Sequence, residues 1–187
     1  MSYRARDFAE EVGGAMRAGD QAVEKTCEAV GRAIASAELL RGFESEMGKL
    51  EFHLHRSPEF AIKVFSMNEK TPVSPPHDHG PFWGVYGVYE GTLGWAEFKV
   101  TEEAGGSANV HEARSMLLRH GAVRTIEPTK VHAVWSPEKS IILTVYNGDL
   151  NSVPRRIFDP KKSIVVRERS DWEERLGRGE QKEYRVG

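Results

Sequence analysis

Cysteine is almost absent from this chain, and its scarcity excludes one route to stability. Cys27 is the one cysteine among 187 residues, so no internal disulfide can form. Disulfides stabilise many proteins of oxidising compartments, whereas the cytosol keeps thiols reduced. We therefore expect a cytoplasmic protein whose stability comes from its hydrophobic core.

The sequence also lacks long apolar runs and a surplus of either charge. No stretch approaches the roughly 18 apolar residues that a membrane-spanning helix needs. Residues 1–20 mix charged and small side chains where a signal peptide would be apolar. The 26 basic residues are balanced by 28 acidic ones, whereas nucleic-acid binding needs clustered positive charge. We expect neither a membrane nor a nucleic-acid partner.

The N-terminal residues 1–48 have a helical pattern. Apolar side chains recur at steps of three and four residues at Val23, Cys27, Val30 and Ile34. Glycines at 13, 14 and 19 interrupt the region, which predicts two short helices instead of a single long one. We interpret residues 1–48 as a helical segment packed on the rest of the chain.

Residues 49–170 change to short β-type runs separated by turn residues. The predicted strands are Phe52–His55, Ala61–Phe65, Trp83–Tyr89, Leu93–Val100, Ser115–Arg119, Ala133–Trp135, Ile141–Tyr146 and Ser163–Arg167. Eight short strands at this spacing indicate a sandwich or barrel, so the fold class is mainly β. The strongly charged residues 171–187 are predicted to form a short helix and a loose C-terminal end.

The segment PPHDHGPFWG, residues 75–84, carries the clearest chemical signal. Side chains two apart on a strand point to the same face, so His77 and His79 can share a metal ion while Asp78 points away. His132 is the best third ligand, because it follows a turn-rich stretch and leads into a strand that can fold back on the first. An isolated His-x-His pair is common on surfaces, and the third histidine is what favours a metal site.

Two sets of residues resemble the paired motifs of the cupin family. They are His77, Asp78, His79 and Gly91 in the first set, and Gly121, Pro128 and His132 in the second. The His-Asp-His form, with no glutamate after it, is most similar to the thiol dioxygenases of the cysteine dioxygenase type. It also resembles a group of bacterial cupins described only as predicted metal-dependent enzymes. The resemblance covers residues 50–159.

This resemblance implies a cupin double-stranded β-helix, a jelly-roll barrel, with an N-terminal helical segment. It further implies one Fe(II) ion held by His77, His79 and His132, dioxygen as co-substrate, and oxidation of a thiol carboxylate to a sulfinate. Tyr146 matches the family's catalytic tyrosine. The crosslinking cysteine of some members aligns with Gly84, so that crosslink cannot form. Zn, Ni and Mn are alternative metals, because three histidines alone do not select one.

The substrate-binding residues are predicted from position alone. The family's carboxylate-binding arginine has no clean match here: Arg56 could serve, or His53 or His55 could replace it. Trp83 follows the histidine pair, and Arg155 lies beyond the Tyr146 strand. Adjacent strand residues face opposite ways, so only one of Arg155 and Arg156 can point inward. The expected partner is a small-molecule substrate, and a homodimer formed through sheet edges is a further expectation.

Two other functions stay open from sequence alone. The chain could be a different metal-dependent cupin enzyme, such as a C–C-cleaving dioxygenase, an isomerase or a Zn or Ni enzyme, since one fold hosts many reactions. Ser and His of the family's Ser-x-His-x-Tyr strand are replaced by Ile142 and Thr144, which favours this alternative. A non-catalytic ligand-binding cupin is the third possibility.

Overall fold

The protein begins with two short helices, as the sequence predicts. The computed structural model describes residues 3–47, 49–104, 107–159 and 164–168. Its helices are α1 (Ala5–Met16) and α2 (Ala22–Ile34), with 3-10 turns at Gly19–Gln21 and Leu150–Ser152. In this part of the chain no helix is long and apolar enough to cross a membrane.

Ten strands lie within the same residues. They are β1 (Glu51–Arg56), β2 (Ala61–Met67), β3 (Gly84–Glu90), β4 (Thr92–Ala104), β5 (Ser107–Arg119), β6 (Val123–Ile126), β7 (His132–Trp135), β8 (Ser140–Tyr146), β9 (Arg155–Asp159) and β10 (Ile164–Glu168). One sheet has the order β1-β2-β8-β3-β6, and the other has the order β7-β4-β5-β10-β9. All of the pairings between them are antiparallel.

The strand order is that of a jelly roll. From β2 onward the chain passes repeatedly between the two sheets, and single-residue bridges from His77 to His132 and to Ile157 attach the histidine segment to the second sheet. Two sheets wound in this way form a double-stranded β-helix. The predicted fold class is therefore confirmed: a mainly β double-stranded β-helix with N-terminal helices.

The glycines of both sequence motifs occupy turns that favour glycine. Gly91 joins β3 to β4 with φ of 74°, and Gly121 precedes β6 with φ of 85°. A Cβ at position 91 would lie 2.3 Å from the Lys139 carbonyl oxygen. Both turns therefore depend on a residue without a side chain.

Several strand predictions were wrong or incomplete. β5, predicted only at Ser115–Arg119, begins at Ser107. β6 and β9 were missed. β6 is only four residues long, and β9 opens with two arginines where a β-branched or aromatic run would indicate a strand. The segment with His77 and His79 is extended without being a regular strand, since only His77 forms a bridge. The predictions for residues 171–187 lie outside the described residues.

The helices cover one face of the first sheet and share its core. Phe8, Val12, Val30 and Ile34 pack in one cluster with sheet residues such as Val85. A second cluster fills the space between the sheets and contains the aromatic side chains discussed below.

Candidate metal centre

Backbone pairing places His77 directly opposite His132. The His77 N–H donates to the His132 carbonyl at 2.9 Å, and the His132 N–H donates to the His77 carbonyl at 3.0 Å. The two imidazole centroids are consequently 4.6 Å apart. A reciprocal hydrogen-bonded pair is a rigid way to fix two side chains on one sheet face.

Asp78, which lies between the two histidines, anchors this segment through its side chain on the face opposite to the imidazoles. Its buried carboxylate accepts hydrogen bonds from the Arg156 Nε at 2.6 Å, the Arg156 N–H at 3.0 Å and the Gly80 N–H at 3.1 Å. His79, one residue on, therefore projects to the same side as His77. The predicted alternation holds even though the segment is not a regular strand.

The three histidines form one buried cluster. His77, His79 and His132 each offer a ring nitrogen, and these atoms lie within 4.8 Å of one another. Their exposed fractions are 7%, 4% and 0%. The structure thus brings together the three residues that the sequence predicted as ligands, while metal binding itself stays a prediction.

Burial keeps all three imidazoles neutral. Desolvation, reinforced by the charge of Arg155, lowers the pKa of His77 to about 4. Desolvation and the neighbouring histidines hold the pKa of His79 and of His132 well below the usual value. A neutral imidazole has one nitrogen lone pair available, which is the form that binds metal ions.

The hydrogen bonds of the rings fit a metal site. His77 Nδ1 donates to the Pro75 carbonyl at 2.8 Å, which leaves the Nε2 lone pair available. His79 Nδ1 is buried and has no hydrogen-bond partner among the described residues. Orientation of a ligand ring by a backbone carbonyl is typical of histidine metal sites, and three imidazoles suit a divalent transition metal.

Two tyrosines stand beside the cluster, one predicted and one missed. Tyr146 lies edge-on to His79 with ring centroids 4.8 Å apart. Its hydroxyl is 2.8 Å from the Tyr86 hydroxyl, which in turn is 3.3 Å from His132 Nε2. Burial raises the pKa of Tyr146 to about 12, so both hydroxyls are protonated at neutral pH. Tyr86 lies two residues after Gly84 on β3, so the two positions share one face of the sheet. This alternation was the available signal that Tyr86 points toward Tyr146.

A small cavity of about 60 Å³ opens on His77, His79 and both tyrosines. Apolar side chains form most of its wall, and three charged residues also reach it: Glu51, Lys63 and Arg155. Lys63 Nζ lies 2.9 Å from a Glu51 carboxylate oxygen, and both side chains are largely buried. Sequence reasoning missed Glu51 and Lys63; a lysine inside the apolar run of β2 was the available signal. Arg155, which the sequence analysis named as a substrate-binding candidate, is in this wall, and substrate binding by it stays a prediction.

The structure does not bring His55 and Arg56 to this cavity. A register shift between His53 and His55 interrupts the two-residue alternation of β1. His55 stacks on Phe60, with ring centroids 4.2 Å apart. Phe60 belongs to the core that the first sheet shares with the helices. Arg56 pairs with Asp149 at 2.9 Å and is 47% exposed. The structure therefore does not place these two residues beside the histidines, and substrate binding by them stays a prediction.

Trp83 is also placed elsewhere. It lines a separate cavity of about 550 Å³ with α1 residues such as Met16. Its backbone N–H donates to the Asn147 side-chain oxygen at 2.8 Å. It precedes β3 and packs against the core shared with the helices. Trp83 is therefore not brought to the histidine cavity, and its role in substrate binding stays a prediction. Gly84, its neighbour, pairs with Tyr146, and a Cβ there would lie 2.9 Å from the Tyr146 ring.

No protein-family model matches this chain, and no curated protein matches it. Among solved structures it is similar to a hydroquinone 1,2-dioxygenase in complex with Cd²⁺ and 4-hydroxybenzonitrile, with 10% identity and a TM-score of 0.42 over 54% of this chain and 64% of that one. It is also similar to a DMSP lyase from Ruegeria pomeroyi, with 19% identity and a TM-score of 0.42 over 59% and 52% of the two chains.

A cupin superfamily protein from Desulfitobacterium hafniense has 18% identity and a TM-score of 0.39 over 54% of this chain and 77% of that one. At such low similarity the activities of these proteins indicate nothing about the activity of this chain. The function has to be argued from the site.

Proposed function

We propose that the protein is a metal-dependent oxygenase in which His77, His79 and His132 hold one Fe(II) ion. The proposed reaction is the oxidation of a small thiol carboxylate to a sulfinate by dioxygen. The observation that carries the proposal is the cluster of three buried, neutral imidazoles, two of which, His77 and His79, line a cavity that also contains a buried arginine. A structural metal site is normally closed, whereas this one faces a cavity.

Iron bound at these nitrogens, with positions left open for substrate and dioxygen, would supply the electron-transfer and Lewis-acid chemistry. The overall reaction balances without another reductant. The S–H group becomes a sulfinic acid, both atoms of O₂ end on sulfur, and the four electrons that sulfur loses reduce O₂.

The charges of the cavity favour an anionic substrate. Lys63 and Arg155 place two positive charges against the single negative charge of Glu51. Arg155 is 7% exposed and enters from β9, while its neighbour Arg156 is held on Asp78. The planar guanidinium of Arg155 suits a carboxylate. The apolar wall and small volume favour a substrate with few other heavy atoms.

The two tyrosines would orient the bound substrate. Both hydroxyls stay protonated, so Tyr146 can donate a hydrogen bond into the cavity while Tyr86 holds its oxygen. Tyr146 is the proposed catalytic residue, and Tyr86 is a positioning residue.

A non-redox metal enzyme is the second candidate, and the Glu51–Lys63 pair favours it. A carboxylate and an ammonium 2.9 Å apart in a cavity can accept and return a proton. Such an enzyme, an isomerase for example, would use Zn, Ni or Mn and would not consume dioxygen.

Metal content after native purification tests the proposal. We expect about one iron per chain in the wild type and in His111→Ala, an exposed histidine on β5, and none in His132→Ala. With iron bound, oxygen uptake should follow addition of a thiol carboxylate. Stoichiometric Zn or Ni with no oxygen uptake would support the second candidate, and metal retained by His132→Ala would refute the site.

A further inference from the structure

Another cavity, of about 350 Å³, has a polar wall that includes Trp95. The ring of Trp95 also stacks on His132, with centroids 4.7 Å apart and planes inclined by 16°. The wall of this cavity also includes Arg114, Arg124 and Lys130. None of these residues lines the histidine cavity.

Three cations of this cavity converge on one carboxylate. Arg114 donates two hydrogen bonds to Glu97, at 2.9 and 3.0 Å, Arg124 donates another, and Lys130 Nζ is 4.0 Å away. Burial opposes ionisation of Glu97, but these hydrogen bonds prevail and lower its pKa to about 2. Counting the second carboxylate of the wall, Glu127, one positive charge is left in excess.

Two buried N–H donors on this wall have no acceptor. Arg124 Nε and Trp95 Nε1 are both buried without a hydrogen-bond partner among the described residues. Trp95 is only 1% exposed, and the Arg124 guanidinium stands over its ring at 5.3 Å. Native proteins rarely leave a buried donor without an acceptor, because the missing hydrogen bond is costly, so two such donors on residues of one cavity wall indicate a ligand.

We propose that this cavity binds a small molecule through an oxyanion group, a phosphate or a carboxylate. Arg124 and Trp95 would supply the donors that now lack an acceptor, and Arg114 and Lys130 would supply charge at the rim. The fork of an arginine matches the geometry of both oxyanions. Glu97 would keep the arginines aligned and, together with Glu127, would limit the surplus to one positive charge.

The site is tested on metal-free protein with sodium phosphate and sodium succinate, using sodium chloride at equal ionic strength as the reference. Calorimetry gives the affinity, and ¹H–¹⁵N spectra follow the indole N–H signals of the four tryptophans. Trp95→Phe identifies the Trp95 signal. We expect saturable binding that shifts this signal. Binding of phosphate alone, of succinate alone or of both tells which oxyanion the site takes.

Two variants and a control decide whether the named residues form the site. Arg124→Gln should weaken binding at least tenfold, and Lys130→Gln, which changes a half-exposed side chain and spares the core, should weaken it several-fold. Arg41→Gln, on an exposed turn, should bind like the wild type. If neither anion binds more tightly than chloride, or if both cavity variants bind normally, the proposal is overturned. Because the protein is metal-free, this result does not depend on the oxygenase proposal.

Discussion

At the scale of single residues, the neutral histidines make the metal-free protein sensitive to acid. An unfolded histidine takes up a proton near pH 6.5, whereas folded His77 does so only near pH 4. The unfolded state therefore binds more protons in this window, and stability is lost as the pH falls below 6.5. His77 should cost about 1.4 kcal/mol per pH unit in this window, and the lowered pKa of His79 and of His132 acts in the same direction. Urea unfolding of metal-free protein at pH 7.5 and 5.5 measures the loss.

A substitution within the cluster separates this effect from general acid sensitivity. His79→Gln removes one of the three protonation sites and should reduce the loss between the two pH values, while His111→Ala should leave it unchanged. An unchanged loss in His79→Gln would show that His79 is not held neutral.

The hydroxyl pair of Tyr86 and Tyr146 gives a second prediction at this scale. Tyr86→Phe removes the hydrogen-bond partner of the Tyr146 hydroxyl, and Tyr146→Phe removes that of the Tyr86 hydroxyl. Each substitution should lower the free energy of unfolding by about 1–2 kcal/mol. The double variant removes both polar groups together, so its loss should be about 1 kcal/mol smaller than the sum of the two. Thermal unfolding of the four proteins measures this coupling, and strictly additive losses would mean that the hydroxyls do not interact.

The sequence predicted the metal-binding candidates better than the residues around them. His77 and His79 are recognisable because a local two-residue spacing places them on one face. Lys63 reaches the cavity through the pairing of β2 with β1 and β8, which no local pattern contains. His55 was misplaced because the register shift in β1 reverses its face.

At the scale of elements, the close approach of β4 and β7 holds His132 in place. Gly94 on β4 pairs with Trp135 on β7, and a Cβ at position 94 would lie 2.0 Å from the indole ring. Gly94→Ala must therefore push the strands apart or displace the ring. We expect a loss of about 1–3 kcal/mol in unfolding free energy and weaker metal binding.

Gly31→Ala is the matched control for this substitution. Gly31 lies in α2 with no atom within 4 Å of the added methyl group. Alanine favours the helix over glycine there by about 0.5–1 kcal/mol. Denaturant unfolding should show opposite signs for the two substitutions, and a neutral Gly94→Ala would contradict the close packing of β4 against β7.

The helices and strands whose sequence pattern is local were predicted best. α2 has a clear periodic pattern, and β8 is a buried apolar run that the sequence indicates almost to its ends. β9 is a strand because Ile157 pairs with the His77 segment and with β10, in spite of its two arginines. Such a strand owes its existence to distant partners.

At the scale of the whole molecule, α1 and α2 share a hydrophobic core with one face of the first sheet. Val30 and Ile34 of α2 approach Gly87 of β3 so closely that a Cβ there would lie 2.5 Å from the Val30 side chain. The first 48 residues are therefore proposed to unfold together with the barrel, as a single cooperative unit. Helical signal at 222 nm and the near-ultraviolet signal of the tryptophans should lose intensity at the same temperature.

Substitutions in the helix distinguish one unit from two. Val30→Ala removes buried methyl groups and should lower both midpoints equally, by an amount that corresponds to about 1–3 kcal/mol. Arg6→Ala, which changes an exposed side chain of α1, should leave both midpoints in place. The helices would fold independently of the barrel if the 222 nm signal were lost at a lower temperature than the tryptophan signal. In that case Val30→Ala would lower only the midpoint of the 222 nm transition. Coincident shifts would mean that α2 supports β3, which carries Tyr86, so that the helical layer stabilises the cavity beside the histidines from outside the barrel.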